Sequence, residues 1–226
     1  MIALSPNNDM VMNDRVMRYA EHIEQGVQAM GQDIALRSAQ RISAYIHLLA
    51  KWNRTYNLTA VRNLEDMRVR HVLDALAVRP WIRSAGHLVD VGSGPGIPGI
   101  LLALADESLA VTLIDSNLKM TRFAEAAVRE LAIENVTVLR SRVEEVPASS
   151  FDQAISRAFA STADFLRLTC HLVRPGGEWL AMKGRLDERE QQAVADGFIC
   201  RETIPLSVPS LDAARHLLIY QREAQL

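Results

Sequence analysis

Cysteine is nearly absent from this chain. Cys170 and Cys200 stand apart in 226 residues, outside any C-x-x-C pair or Cys/His cluster, so neither a disulfide framework nor a zinc site organises the fold. In a reducing compartment two separate, buried thiols are expected. The histidines (His22, His47, His71, His87, His171 and His216) are scattered, with no H-E-x-x-H spacing, and no metal is expected. Long apolar runs are missing too. The longest, residues 97–105, is interrupted by Pro98 and Gly99 and falls far short of the roughly 20 residues a membrane-spanning helix needs. Residues 1–9 carry no basic stretch followed by an apolar core, so no secretory signal is read there and a cytoplasmic location is expected.

What remains is an ordinary globular balance, 49% hydrophobic and 23% charged residues, in a length sufficient for one large domain or for one domain with a small appended piece. The net charge is only −2, but it is unevenly spread. Residues 34–83 hold nine basic and three acidic side chains, a net +6, whereas residues 84–156 hold five basic and ten acidic ones, a net −5. A basic segment beside an acidic core reads as a polyanion-facing surface or, equally, as a solvated helix face.

Two segments, 14–30 and 34–52, place apolar residues at helical spacing, as with Ile42, Tyr45, Ile46 and Leu49; Gly31 is a plausible stop between them. Residues 53–59 break the pattern and 63–77 resume it. Beyond His87 short apolar runs alternate with helical stretches. Strands are expected at 88–91, 111–114, 136–139, 154–155 and 179–182, and helices at 99–105, 118–131, 162–173 and 187–195. Such alternation implies βαβ units and a parallel sheet covered on both faces. The tail offers two further strands, 198–207 and 216–221, with no long helix between them, so an antiparallel pair is expected. The fold class is therefore α/β: a doubly wound, seven-stranded, Rossmann-like sheet with its last strand reversed and an N-terminal helical extension. Residues 1–83 form the helical segment and 84–226 the sheet domain, joined in one compact unit.

The strongest motif is V-D-V-G-S-G-P-G-I-P-G at residues 89–99, directly after the first strand. Glycines there let the backbone turn sharply and approach a ligand where a Cβ would collide. Gly94-x-Gly96-x-x-Gly99 also satisfies the dinucleotide fingerprint, and a tight turn in any α/β domain would look similar. Three details favour S-adenosylmethionine over a dinucleotide. Asp90, a carboxylate inside an apolar strand, suits the ammonium group of a methionine moiety. Pro95 and Pro98 remove N–H donors that a pyrophosphate would use. Asp115 ends the second strand, placed for ribose hydroxyls, although it would serve NAD equally well. The third strand ends in Arg140-Ser141-Arg142-Val143-Glu144-Glu145. Val143 and Glu144 are assigned to an adenine rim; Ser141 with Glu144 also has capping-box spacing. Arg157, at the end of the fourth strand, suits a ligand or substrate, with an ion pair to Asp90 or Asp115 as the structural alternative.

Taken together, these motifs resemble the bacterial small-subunit ribosomal RNA guanine-N7 methyltransferases, the RsmG or GidB family. The resemblance rests on Lys51-Trp52-Asn53 with Tyr56-Asn57-Leu58-Thr59, Arg70-His71-Val72-Leu73-Asp74, residues 89–99, Ser141 to Glu145, Ile155 to Ala160, Lys183-Gly184 and Arg215-His216-Leu217. It spans about residues 51–218, in order; residues before Asp33 match only as a helical extension. Carried over position by position, it implies cofactor contacts at Gly92, Gly94, Ile97, Asp115, Val143, Glu144 and Arg157. It implies an RNA-facing set of Asn57, Arg70, His71, Arg142, Lys183 and Arg215, with rRNA or a ribosomal particle as partner.

Guanine N7 has a lone pair and no proton, so methylation there needs positioning rather than a general base. Arg142, Lys183 and Arg215 are the candidates for holding the base, because arginine or lysine is the usual donor to the neighbouring O6, and Arg157 is expected to bridge cofactor and substrate; Arg142, Arg157 and Arg215 form the substrate-positioning set. His71 and Asp74 read as a polar edge packed on the glycine domain, and Trp52 and Tyr56 as core. A monomer is expected. Three rivals stand beside this reading: a methyltransferase for a small molecule or protein, an NAD-dependent oxidoreductase, and a non-enzymatic RNA-binding assembly protein.

Overall fold

The computed structural model describes residues 6–157, 159, 161–186 and 196–223, with side chains from residue 14 onward. The helix expected at 187–195 lies outside the described residues, as do Ala158 and Ala160 of the 155–160 motif.

Seven strands form one sheet: β1 (His87–Val91), β2 (Ala110–Asp115), β3 (Val136–Arg140), β4 (Phe151–Ser156), β5 (Val173–Lys183), β6 (Phe198–Pro205) and β7 (His216–Arg222), in the order β3-β2-β1-β4-β5-β7-β6. The first five pair in parallel. β7 runs antiparallel to both β5 and β6 and is the reversed last strand. β1 is buried at every position after His87, as a central strand covered on both faces must be. The winding reverses beside β1, whose neighbours are β2 and β4, and a crevice is expected at the carboxyl ends of those strands.

On the sheet faces lie α5 (Gly99–Ala105), α6 (Leu118–Glu130) and α7 (Thr162–Thr169). Asn117 caps α6 by accepting from the Lys119 N–H, and Ser161 caps α7 by accepting from the Asp164 N–H; both are favoured N-cap side chains. The N-terminal part contributes α1 (Pro6–Ala29), α2 (Leu36–Tyr56), α3 (Leu64–Met67) and α4 (Asp74–Leu76), with a π-helical turn, Arg68–Leu73, joining the last two. α2 packs against α1, α5 and α6. The larger hydrophobic core therefore takes Ile23, Ile46 and Leu73 from the helices together with Leu101, Leu113 and Leu180 from the α/β part. Among the described residues no helix is long and apolar enough to cross a membrane.

Several local expectations are corrected. α7 stops at Thr169 rather than running to Val173, because Val173 pairs with Phe151 and opens β5; Pro175 also disfavours helical backbone at Arg174. α2 continues through Asn53 to Tyr56. Asn53 is buried and binds the following loop instead of breaking the helix, donating to the Val61 carbonyl and accepting from the Thr59 N–H. The thiols are not both buried: Cys170 is half-buried and Cys200 exposed. Trp52 is half-buried against Phe123, but Tyr56 is 48% exposed and is no core residue.

Candidate functional site: a glycine loop and an arginine cleft

The glycine loop follows β1 and leads into α5. Gly92 (φ 71°), Gly94 (φ 56°) and Gly96 (φ 100°) hold left-handed conformations that side chains adopt only at a cost. A Cβ on Gly92 or Gly94 would meet nothing within 4 Å, so the backbone there faces open space rather than protein.

Every N–H of residues 92–99 is already used or absent. Gly92 and Ser93 donate to the Ile114 carbonyl (2.8 and 3.3 Å), and Gly96 and Ile97 to the Ser93 carbonyl (2.9 and 3.0 Å). Gly94 donates to Asp115 Oδ2 and Gly99 to Asp90 Oδ2, both at 2.8 Å. Pro95 and Pro98 have no N–H. A pyrophosphate therefore finds no free backbone donor in this loop, which counts against a dinucleotide on the dinucleotide's own terms.

Beside the loop lies a depression of about 270 Å³, lined among others by Gly92, Asp115, Ser141, Arg142, Val143 and Glu144. Asp115 uses one oxygen on Gly94 and the other on the Asn117 N–H; each oxygen keeps a second lone pair for a hydroxyl. Glu144 is exposed and Val143 buried. Ser141 caps nothing: the short 3₁₀ turn Val143–Glu145 starts from Arg142 without a side-chain cap, and the Ser141 hydroxyl donates to the Arg142 carbonyl. Ile97 is 6% exposed and belongs to the hydrophobic core beneath the loop.

Asp90 is fully buried. Its Oδ2 anchors the first turn of α5, and its Oδ1 is buried with no hydrogen-bond partner. Burial pushes its carboxyl up to about 7, against the opposing pull of the Gly99 N–H and Arg157. Tyr45 of α2, which sequence reasoning took only as core, donates its hydroxyl to the Pro95 carbonyl at 2.9 Å. The N-terminal helices thus hold the glycine loop from outside.

A second cleft, of about 340 Å³, opens on the other side of the turn after β4. It is lined by Arg70, His71, Asp74, Arg157, Lys183 and Arg215, with Val61 and His216 beside them. Asp74 organises it. Its side chain is 4% exposed; Oδ1 accepts from Arg215 Nε at 2.8 Å and Oδ2 from Arg157 Nη1 at 3.4 Å. Arg157 also donates to the Arg70 carbonyl at 3.1 Å. Its carboxylate partner is therefore Asp74, not Asp90 or Asp115. His71 is 3% exposed. Its Nδ1 lies 3.1 Å from the Arg70 carbonyl, where it must donate, leaving Nε2 to accept from the Thr59 hydroxyl at 2.9 Å. Burial and then the nearby Arg157 push the imidazole down to about 4, so it stays neutral at physiological pH.

The structure thus brings Arg70, His71, Arg157, Lys183 and Arg215 into one cleft. Arg142 lies in the other depression. Asn57 lies in neither lining: it ends α2 in a left-handed conformation, its carbonyl accepting from Lys119 Nζ and its Oδ1 from Arg62. Sequence reasoning left Asp74 as a polar edge packed on the glycine domain; its signals were its place one turn after His71 and its membership of the residue 70–74 motif.

A family model described as rRNA small subunit methyltransferase G matches residues 38–218 of this chain. The chain belongs to this family. The family match takes in the glycine loop, both depressions and all of the side chains that line them. A relative named Ribosomal RNA small subunit methyltransferase G from Neisseria meningitidis is 44% identical over 91% of this chain and all of its own length. One of the same name from Stenotrophomonas maltophilia is 46% identical over 88% of this chain and 93% of its own. A crystal structure of a SAM dependent methyltransferase from Aquifex aeolicus matches with a TM-score of 0.55 at 14% identity, covering 76% of this chain and 97% of that one; this last likeness concerns the fold alone. The rRNA small subunit methyltransferase G family is a family of enzymes that transfer methyl groups, so the oxidoreductase and non-enzymatic readings lose their support.

Proposed function

We propose that this protein methylates N7 of one guanine in small-subunit ribosomal RNA, with S-adenosylmethionine as methyl donor. The observation that carries the reading is the placement of two unlike recesses on either side of the turn after β4. One is an acid-rimmed depression at the glycine loop, the other an arginine-lined cleft.

The residues present fit the donor. Gly92 and Gly94 leave space where a Cβ would stand, and the depression beside them offers the Asp115 and Glu144 carboxylates instead of phosphate donors. Gly92, Gly94, Asp115, Val143 and Glu144 would hold the adenosine part. Asp90 would act mainly by fixing the loop, since its side chain has no exposed surface. When bound, S-adenosylmethionine supplies an electrophilic methyl group on a positively charged sulfur.

Guanine N7 accepts a methyl group without losing a proton, so no residue has to serve as a base. Neutral, buried His71 is consistent with that. Arg157, Lys183 and Arg215 are the cations placed to donate to guanine O6 and hold the base edge, with Asp74 fixing the two arginines. The work of the cleft is positioning and electrostatic support of charge that moves onto the base. The shared core supports residues 1–83 and 84–226 acting as one unit, and an rRNA substrate supports action in the cytoplasm.

The test is transfer of a labelled methyl group to small-subunit particles and to naked rRNA that lack the modification. Label recovered on a single guanine as N7-methylguanine is the expected result. Bound S-adenosylmethionine with no label on either RNA would overturn the choice of acceptor.

A further inference from the structure

The basic bias of residues 34–83 separates into unlike groups once folded. Arg37 and Arg41 face Glu107 at 3.9 and 3.0 Å, Arg68 pairs with Glu65, and Arg83 pairs with Glu178 at 3.2 Å. Arg79 donates to the Asp33 carbonyl, and Arg70 lines the cleft. Lys51, Arg54 and Arg62 differ. They are exposed, and among the described residues none has a carboxylate within ion-pairing distance.

These three converge, with Arg15 of α1, on a groove of about 820 Å³ between α1, α2 and the start of α3. His47, Lys51 and Arg54 form one stripe along α2, at i, i+4 and i+7. The Arg62 guanidinium is fixed by the Asn53 carbonyl and Asn57 Oδ1, at 3.3 and 2.8 Å. Against these cations the lining contains one carboxylate, Glu130, and its floor is apolar, with Val16, Leu48, Leu64 and Leu131. One loop joins this groove to the cleft. Val61 lines the cleft, while Arg62, Asn63 and Leu64 line the groove.

We infer that the groove binds the phosphate backbone of the rRNA strand flanking the target guanine, an inference that rests on the methyltransferase reading above. A guanine taken into the cleft must leave its stack, and the strand on either side must be held while it does so. A strand that leaves the cleft past Val61 meets Arg62, Asn63 and Leu64 next, and these line the cationic groove. The cationic rim suits phosphates, and the apolar floor suits the faces of unstacked bases. An acidic protein segment would answer the same charge, but nothing ties it to the loop beside the cleft as the substrate strand is tied.

The test is the triple variant Arg15→Gln/Lys51→Gln/Arg54→Gln, which leaves the hydrogen-bonded Arg62 in place. Thermal unfolding and S-adenosylmethionine titration check that the fold and the donor site are intact. Affinity for naked small-subunit rRNA is then measured across a salt series. Each phosphate contact in a single strand contributes about 0.7 to the slope of log affinity against log salt, so losing three contacts makes the slope shallower by about 2. Affinity at physiological salt falls tenfold or more, and each of Arg15→Gln, Lys51→Gln and Arg54→Gln alone weakens it in part, while Arg201→Gln, the loss of one charge on an exposed position of β6, leaves it at the wild-type value. Wild-type slope and affinity in the triple variant, with the wild-type enzyme methylating rRNA, would overturn the groove and leave the function standing. Weakened binding to ribosomal particles but not to naked rRNA would assign the groove to a protein component instead. If wild-type enzyme methylates neither RNA, the functional reading fails and takes the groove with it.

Discussion

Asp74 Oδ1 and Oδ2 each hold a different arginine, and the two come from separate strand ends on one edge of the sheet: Arg157 follows β4 and Arg215 precedes β7, with β5 between them. Charge-assisted hydrogen bonds of this kind contribute on the order of 2 kcal/mol each. More important here, a carboxylate with almost no exposed surface fixes where the guanidiniums point. Asp74→Asn keeps the shape and removes the charge. Turnover on rRNA is expected to fall on the order of a hundredfold, the scale at which small misplacements of positioning groups act. S-adenosylmethionine affinity is expected to hold, because Asp74 lies in the cleft and not in the glycine-loop depression. Steady-state kinetics and a separate donor titration check the split. A matching loss of donor affinity would show that Asp74 supports both recesses and would undo the division of labour.

Between elements, the telling contact is Tyr45 to Pro95. Buried Tyr45 donates from α2 to the carbonyl of a residue whose own nitrogen can donate nothing. Tyr45→Phe leaves that carbonyl without this partner, a cost of about 1–3 kcal/mol for a buried group. With tenfold in affinity per 1.4 kcal/mol, S-adenosylmethionine binding is expected to weaken by roughly tenfold while the fold persists. Calorimetric titration checks it, and unchanged affinity would mean that the loop holds its shape without α2. This contact also marks what was legible beforehand. The β1–glycine–α5 unit could be read because turn chemistry and apolar runs are local, and the reversed β7 followed from the missing helix before it. The hydroxyl of Tyr45 was hidden because helical spacing explains its ring completely. Asp74 was hidden for a related reason: its partners are 83 and 141 positions away, and no local pattern announces a long-range ion pair. Thr162 to Val173 was misjudged because an apolar stretch of that length suits a helix, whereas Val173 is claimed by its pairing with Phe151.

At the scale of the whole molecule, the boundary near residue 83 divides the sequence but not the core. Ile23, Ile42 and Leu49 have no exposed surface and belong to the same apolar cluster as Leu101, Leu113 and Leu180. Burying a side chain of this size contributes roughly 1.5–3 kcal/mol. A separation of the helices from the sheet would expose several at once, a large fraction of the 5–15 kcal/mol that holds a typical protein folded. Polar ties cross the same boundary: Arg41 to the Leu131 and Ala132 carbonyls, Tyr45 to Pro95, and Asp74 to both arginines. Unfolding is therefore expected to be a single cooperative transition. The tryptophans allow a direct check, since Trp52 reports on α2 and the fully buried Trp179 on β5. Variants keeping one of the two, with Trp81 and the other replaced by Phe, should show the same shift in urea midpoint relative to a probe of overall helix content. A Trp52 transition that precedes the Trp179 transition would mean that the helices detach first. In that case the Tyr45 contact to the glycine loop would open before the sheet melts, and donor binding would fail at the earlier of the two midpoints.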